Sequence, residues 1–268
     1  MKKIIATMLI VLSGITITEI IEPSAGDGSF IDELDKLKIP TFYYDLYPEH
    51  PRIIQQDFLK LELDYRPGRV IIGNPPFCLN GHNFNLWKNF CNKSSEIAEY
   101  TIFISPSSQF NNDYSLKRFV LIYSEYLGDI EYRGTNNIKV KTCLNIYKRN
   151  LSKKTDNKIK EVIEKDFRIE RIEREKDGSY KGCFNCDFYL GGWGSIACKM
   201  VNPENKKYAL QYGFKVLNED KRNDLFEFLK SFSSQYKDEV IRQCVSAPYI
   251  SKRYIYEKLF KELYIKLD

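Results

Sequence analysis

Glu22-Pro23-Ser24-Ala25-Gly26-Asp27-Gly28-Ser29-Phe30 decides how this chain is read. The stretch closes a short apolar run, Thr18–Glu22. After it Phe30, Ile31, Leu34 and Leu37 recur at helical spacing. Strand, small-residue turn and helix in that order open a βαβ unit. Gly26 and Gly28 carry no side chain, so the backbone there can approach a ligand closely. The plainer reading is a tight βα turn with no ligand.

Three more strand ends follow. Pro40 stops the helix, and Thr41–Asp45 is rich in β-branched and aromatic residues, as strands are. Asp45 closes it, 23 residues after Glu22 and just before Leu46. An acid at that place can accept both hydrogens of a ribose diol, or it can cap a loop. Ile53–Gln55 is a third strand and leads into Asp57-Phe58. There a carboxylate can accept from an adenine amine while a ring covers the adenine face. A surface acid beside a core Phe is the alternative. Arg69–Gly73 reads as a fully buried parallel strand.

That fourth strand runs into Asn74-Pro75-Pro76-Phe77, which can be neither helix nor central strand. An exocyclic adenine amine is a poor nucleophile, because its lone pair is delocalised into the ring. Two acceptors aimed at its hydrogens would draw the nitrogen toward tetrahedral geometry and stabilise the charge growing on it. The Asn74 side-chain oxygen and the Pro75 carbonyl are such acceptors. Pro75 and Pro76 stiffen the turn, and Phe77 offers a face to a base rotated out of its stack.

The rest of the first half predicts a helix over Leu86–Ala98 and a strand over Tyr100–Ser105. A helix over Tyr114–Tyr123 follows, then a closing antiparallel pair, Asp129–Arg133 with Val140–Lys148. Strands alternating with helices give a doubly wound α/β sheet, with its ligand at the carboxyl ends of the strands. Lys2-Lys3 before Ile4–Leu12 imitates a signal peptide, but no small-residue cleavage site follows. The stretch is too short to span a bilayer and reads as a buried helix. Asn150–Lys160 is polar and basic and reads as a linker between domains at residues 1–150 and 151–268. Beyond it, Asp166–Arg174 and Cys183–Met200 suggest short β elements. Helices are expected over about Lys221–Phe232, Asp238–Cys244 and Lys252–Leu263, the last with Ser251 as N-cap.

Composition excludes a disordered or fibrous chain: of 268 residues 43% are hydrophobic, 14% aromatic and 29% charged. Residues 151–268 hold 24 Lys/Arg and 19 Asp/Glu and carry the whole net charge of +5, while residues 1–150 are balanced. A basic second half suits a polyanionic partner, although an uneven solvated surface gives the same count. Seven scattered cysteines do not form a secreted disulfide framework. Cys183-x-x-Cys186 could be half a zinc site, but His50 and His82 are the only histidines, and buried thiols are the simpler reading. No metal is expected.

Taken in order, Glu22–Phe30, Asp45, Asp57-Phe58 and Asn74–Phe77 resemble the S-adenosylmethionine-dependent N6-adenine DNA methyltransferases of the gamma arrangement. The resemblance covers about residues 18–148. It implies a Rossmann-like methyltransferase fold, mostly parallel with a closing antiparallel strand. It also implies a smaller α+β target recognition domain after it. Glu22, Pro23, Ser24, Ala25, Gly26, Asp27, Gly28 and Phe30 would hold the methionine part of S-adenosylmethionine. Asp45, with Leu46 beside it, would bind the ribose, and Asp57 and Phe58 the adenine. Asn74 would border the cofactor and, with Pro75 and Pro76, hold the target amine; Phe77 would stack on the target base. Double-stranded DNA is the implied substrate, in restriction–modification or in solitary or viral modification, in the cytoplasm or a host cell.

One departure stands out. The family usually has a Thr-Pro-type motif well before the cofactor loop, and the 21 residues before Glu22 contain none. A trimmed chain, a partner subunit or other residues would account for it, and a homodimer is equally open. The alternatives are methylation of adenine in RNA, methylation of a glutamine amide in a protein, or a non-catalytic DNA-binding subunit. In the second domain Trp193, between Gly192 and Gly194, is either core or a groove contact. Lys252-Arg253-Tyr254 opens a helix after a short turn, as in a helix-turn-helix reader or as a plain solvated end.

Overall fold

The computed structural model describes residues 2–77, 86–112, 116, 118–131, 139–151, 156–183, 185–244 and 247–265. The chain divides into two compact units, Met1–Lys153 and Lys154–Asp268.

Seven strands build the first unit: β1 (Glu19–Glu22), β2 (Thr41–Asp45), β3 (Ile54–Gln55), β4 (Arg66–Gly73), β5 (Ala98–Pro106), β6 (Phe119–Glu131) and β7 (Lys139–Arg149). They lie in the order β3-β2-β1-β4-β5-β7-β6. β1 pairs in parallel with both β2 and β4, and β4 in parallel with β5. β7 runs antiparallel to β5 and to β6. A mostly parallel sheet with one reversed strand near its edge is the Rossmann-like methyltransferase fold.

The apolar runs of the central strands are buried on both faces. Ile20, Val70, Ile72, Ile102 and Ile146 pack on one side, with α1 (Lys2–Val11) and α2 (Ile31–Asp35). Ile21, Ile71, Phe103 and Tyr147 pack on the other, with α3 (Leu86–Ile97). Alternation along each strand divides the residues between the layers. The stretch that imitates a signal peptide is α1, which buries Ile4, Ile5 and Met8 in the first layer. Among the described residues no helix is long and apolar enough to cross a membrane.

Two expectations fail here. Phe119–Tyr123, expected in a helix, begins the long strand β6. Its Phe-Val-Leu-Ile-Tyr run is equally compatible with a strand, and pairing along β7 decides the matter. Two register shifts, before Tyr123 and at Gly128, bend this edge. Tyr114 itself lies outside the described residues. The expected linker also contains a helix, α4 (Asp156–Ile163). It packs on α6 (Lys252–Tyr264), whose Tyr256 hydroxyl donates to Glu164 Oε1 just beyond α4 (2.7 Å).

The second unit is α+β. β8 (Phe167–Arg174), β9 (Tyr180–Lys181), β10 (Phe188–Gly191) and β11 (Leu210–Val216) form an antiparallel sheet ordered β10-β11-β8-β9. One continuous helix, α5 (Arg222–Gln243), replaces the two expected over Lys221–Phe232 and Asp238–Cys244. Leu225, Phe228, Leu229, Phe232, Tyr236 and Val240 lie on one buried face at helical spacing. The Ser251 hydroxyl caps α6 as expected, accepting from Tyr254 N at 3.1 Å.

Candidate active site

β1, β2 and β4 all end at the same edge of the sheet, beside the point where the order reverses direction around β1. Clefts form there because consecutive connections leave to opposite faces. The loop after β1 is held open by its glycines. Gly26 (φ +52°) and Gly28 (φ +82°) adopt the left-handed region. Gly28 N donates to Ala25 O (2.7 Å), and Ile31 N to Gly28 O (2.9 Å), which starts α2. A Cβ on Gly28 would lie 2.8 Å from Ile31 Cδ1, whereas a Cβ on Gly26 would meet nothing within 4 Å. Gly28 is therefore favoured chiefly by its left-handed backbone, and Gly26 leaves free space above the loop.

Asp45 ties this loop to the end of β2. Its Oδ2 accepts from Gly26 N and its Oδ1 from Tyr47 N, both at 2.8 Å. Glu49 N donates to Gly26 O (3.0 Å), and His50 packs against the Gly28 position. The segment 46–50 thus braces the glycine loop. Nothing in the sequence marks it for that, since a Tyr-Pro-Glu-His-Pro turn has no local signature of its partner. Leu46, at its start, is exposed.

Gln56 N donates to Asp45 O (2.9 Å), which brings the next acid alongside. Asp57 caps a short 3-10 turn, its Oδ1 accepting from Leu59 N at 2.9 Å. Phe58, expected to cover an adenine face, packs into the interior. It is buried and stacks on Phe90 of α3, ring centroids 5.3 Å apart, so its ring belongs to the core. Phe30, Pro23 and Ala25 are buried too, and Phe30 packs with Ile31 and Leu34 under α2. Their side chains shape the loop from beneath.

Glu22 is the most unusual residue of the site. It is 1% exposed, and its Oε2 has no hydrogen-bond partner; the nearby Ser24 Oγ is likewise buried without one. Burial, then the neighbouring Asp27 and Asp45 charges, pushes the Glu22 carboxyl up to about 8. Two orphaned polar atoms beside open backbone make a cradle with unmet demand for a donor, preferably a cationic one.

The fourth strand end touches this cradle. A Cβ on Gly73 would lie 3.3 Å from Pro23 Cδ, 3.6 Å from Glu22 Cγ and 3.8 Å from Ser24 Oγ. Asn74 follows directly, half-buried, with Pro75 buried and Pro76 exposed. Phe77 packs against both apolar layers of the sheet. The structure therefore brings Glu22, Ser24, Gly26, Asp45 and Asn74 together at one edge. Cys78 and His82, just beyond, lie outside the described residues.

In the second unit the residues expected to read DNA divide. Tyr254 points inward: it is 3% exposed and its hydroxyl donates to Glu239 Oε1 at 2.8 Å. It packs on Phe232 and Tyr236 of α5 and is no surface reader. Lys252 is half-buried, its ammonium 5.7 Å from the Tyr256 ring centroid, and burial holds its pKa below the usual lysine range. Arg253 is half-buried. Trp193 is the opposite case, 52% exposed and outside the core. Among the described residues no three His, Cys, Asp or Glu side chains gather as a metal site.

No protein-family model matches the chain, and no curated protein sequence does. Several solved structures are similar in part. One is a candidate RNA methyltransferase from Pyrococcus horikoshii, 15% identical over 56% of this chain and 83% of its own, TM-score 0.43. A second is a methylase candidate from Haemophilus influenzae, 16% identical over 56% of this chain and 96% of its own, TM-score 0.39. A third is a glycopeptide N-methyltransferase complexed with S-adenosylmethionine, 12% identical over 81% of this chain and 85% of its own, TM-score 0.30. At these values the likeness adds nothing to the topology already described.

Proposed function

We propose that the chain is a DNA adenine N6-methyltransferase that uses S-adenosylmethionine. The observation that carries this reading is the closeness of Gly73, which leads directly into the Asn74–Phe77 turn, to the orphaned Glu22–Ser24 cradle at the carboxyl edge of a methyltransferase-type sheet. The cradle fits the cofactor. Glu22 and Ser24 suit its ammonium group, the space above Gly26 suits its backbone-like methionine part, and Asp45 and Asp57 suit ribose and adenine. Bound there, S-adenosylmethionine would supply an electrophilic methyl group on a sulfonium.

The protein's part is to hold and polarise the acceptor. The Asn74 side-chain oxygen and the Pro75 carbonyl would take the two amine hydrogens, localising the nitrogen lone pair and stabilising positive charge on it. Pro75 and Pro76 restrict the turn, so little reorganisation is needed. Held so by Asn74 and Pro75, the amine nitrogen would be the nucleophile toward that methyl group, and its extra proton would leave to solvent.

The test is to incubate the purified chain with adenine-containing duplex DNA and methyl-labelled cofactor, then digest to nucleosides. Label in N6-methyldeoxyadenosine, lost in Asn74→Ala, supports the reading. No label in N6-methyldeoxyadenosine, or label that persists unchanged in Asn74→Ala, overturns it.

A further inference from the structure

Trp193 and Tyr249 face each other across an isolated antiparallel bridge in the second unit. Gly194 N donates to Pro248 O (2.8 Å) and Ile250 N to Gly192 O (3.0 Å). The pair therefore occupies the non-hydrogen-bonded position of the ladder, where opposed side chains lie closest. Yet both residues are exposed, Trp193 52% and Tyr249 38%.

The backbone beneath them is fixed. Gly192 N donates to Leu210 O (3.0 Å), and a Cβ on Gly192 would lie 2.7 Å from Leu210 Cγ and 2.9 Å from Tyr212 Cε2. Gly192 thus lies flush on β11. Buried Tyr212 donates its hydroxyl to Ile250 O (2.8 Å). Arg171 stands opposite Tyr212 in the β8–β11 register and is exposed, one face of its guanidinium donating to Glu173 Oε1 (3.1 Å).

A rigid mount that keeps two rings out of the core is preorganised for a flat ligand. A polyanionic ligand suits the charge balance, because the net +5 of the chain falls wholly on residues 151–268. We propose that Trp193 and Tyr249 form a stacking platform for an unpaired DNA base, with Arg171 beside it for the neighbouring phosphate. The base is unpaired because in an intact duplex the base faces are covered by their neighbours. This deepens the proposed function, on whose choice of DNA it rests, by naming where the second unit meets a distorted strand.

Fluorescence isolates the platform. Of the two tryptophans, Trp87 is buried and donates Nε1 to Ser105 Oγ (2.8 Å), so Trp193 is the exposed reporter. The full chain is titrated with short oligothymidylate, which has unpaired bases and no methylatable adenine, and separately with a short blunt duplex. Oligothymidylate should quench the exposed tryptophan. Trp193→Ala and Tyr249→Ala should each weaken its binding by about 5- to 150-fold, read by anisotropy of labelled strand. Trp193→Phe, which keeps a ring, should bind nearly as wild type without the fluorescence change. Arg171→Ala should flatten the salt dependence.

Absence of quenching overturns the platform, as do Ala variants that bind unchanged or a blunt duplex that quenches and binds as well as the single strand. Methyl transfer by the wild-type chain is assayed alongside. DNA methylation with an inert Trp193 and Tyr249 removes the platform and leaves the proposed function. Oligothymidylate binding without any DNA methylation removes the proposed function.

Discussion

Replacing Glu22 by glutamine should change how the stability of the protein depends on pH. The carboxyl, ordinarily near 4.5, sits at about 8 because it is buried beside Asp27 and Asp45. Below pH about 4.5 it is protonated in both the folded and the unfolded chain and costs nothing. Between about 4.5 and 8 the unfolded chain ionises it while the fold retains the proton, so stability is lost as pH rises. At about 1.4 kcal/mol per pKa unit the loss is about 3 kcal/mol at pH 7 and about 5 kcal/mol above pH 8. The glutamine amide has nearly the same shape and no proton to lose. The assay is urea unfolding of both proteins at a series of pH values across that range. The gap in favour of Glu22→Gln should widen from its value at pH 4.5 by about 3 kcal/mol at pH 7 and level off above 8. Any constant offset reflects how the amide is accommodated. A gap that does not widen with pH would refute the buried neutral acid.

Cofactor binding should follow the same group with the opposite consequence. S-Adenosylmethionine affinity should rise as pH is raised from 7 toward 8, with proton release measurable by calorimetry in buffers of different ionisation enthalpy, and Glu22→Gln should abolish the release. Asn74→Ala should leave cofactor affinity nearly intact and slow methyl transfer at least about a hundredfold, as for loss of a transition-state acceptor; near-normal single-turnover rates would remove Asn74 from the chemistry. Asp45→Ala deprives the Gly26 and Tyr47 amides of their acceptor, so the Gly26 amide should lose protection from hydrogen exchange and the cofactor should bind about ten- to a hundredfold more weakly. At the far end of the sheet, Arg69 is buried and bonds Glu19 and the carbonyls of Asp64 and Ile97. Arg69→Met should cost about 3–5 kcal/mol in urea unfolding by stranding part of the Glu19 charge, with activity per folded molecule unchanged.

The strands that carry the site can be read from sequence because each is a short apolar run with unmistakable punctuation: Pro23 after β1, Pro40 before β2, Asn74-Pro75 after β4. Glu22, Gly26, Asp45 and Asn74 inherit their positions from those ends, so locating the strands locates the residues. Side-chain direction is harder. Phe58 follows an acid at a strand end, which suits a ligand-covering ring, but α3 supplies Phe90 as a nearer partner. Tyr254 stands beside two cations at a helix start, yet the inward face of α6 needs an aromatic against Phe232 and Tyr236. In both cases the deciding partner is distant in sequence. The same holds for β6, where pairing with β7 overrides a local run that fits either state, and for α4, whose reason to be helical is the neighbouring α6. Trp193 is open between core and groove in the sequence, and its exposure follows from packing that the sequence does not show, with Gly192 lying against Leu210 and Tyr212 of β11.

Phe77 gives the Asn74–Phe77 turn a mechanical property. Its ring touches the apolar layers on both sides of the sheet, three residues from Asn74. A turn wedged in this way moves only when a layer moves. Loosening the α1–α2 side or the α3 side would therefore reach Asn74 without any change in the turn itself. Core substitutions as distant as Met8 or Phe90 should then register as a shifted temperature dependence of turnover before they register as unfolding, making the rate of the reaction a gauge of how tightly both layers are closed.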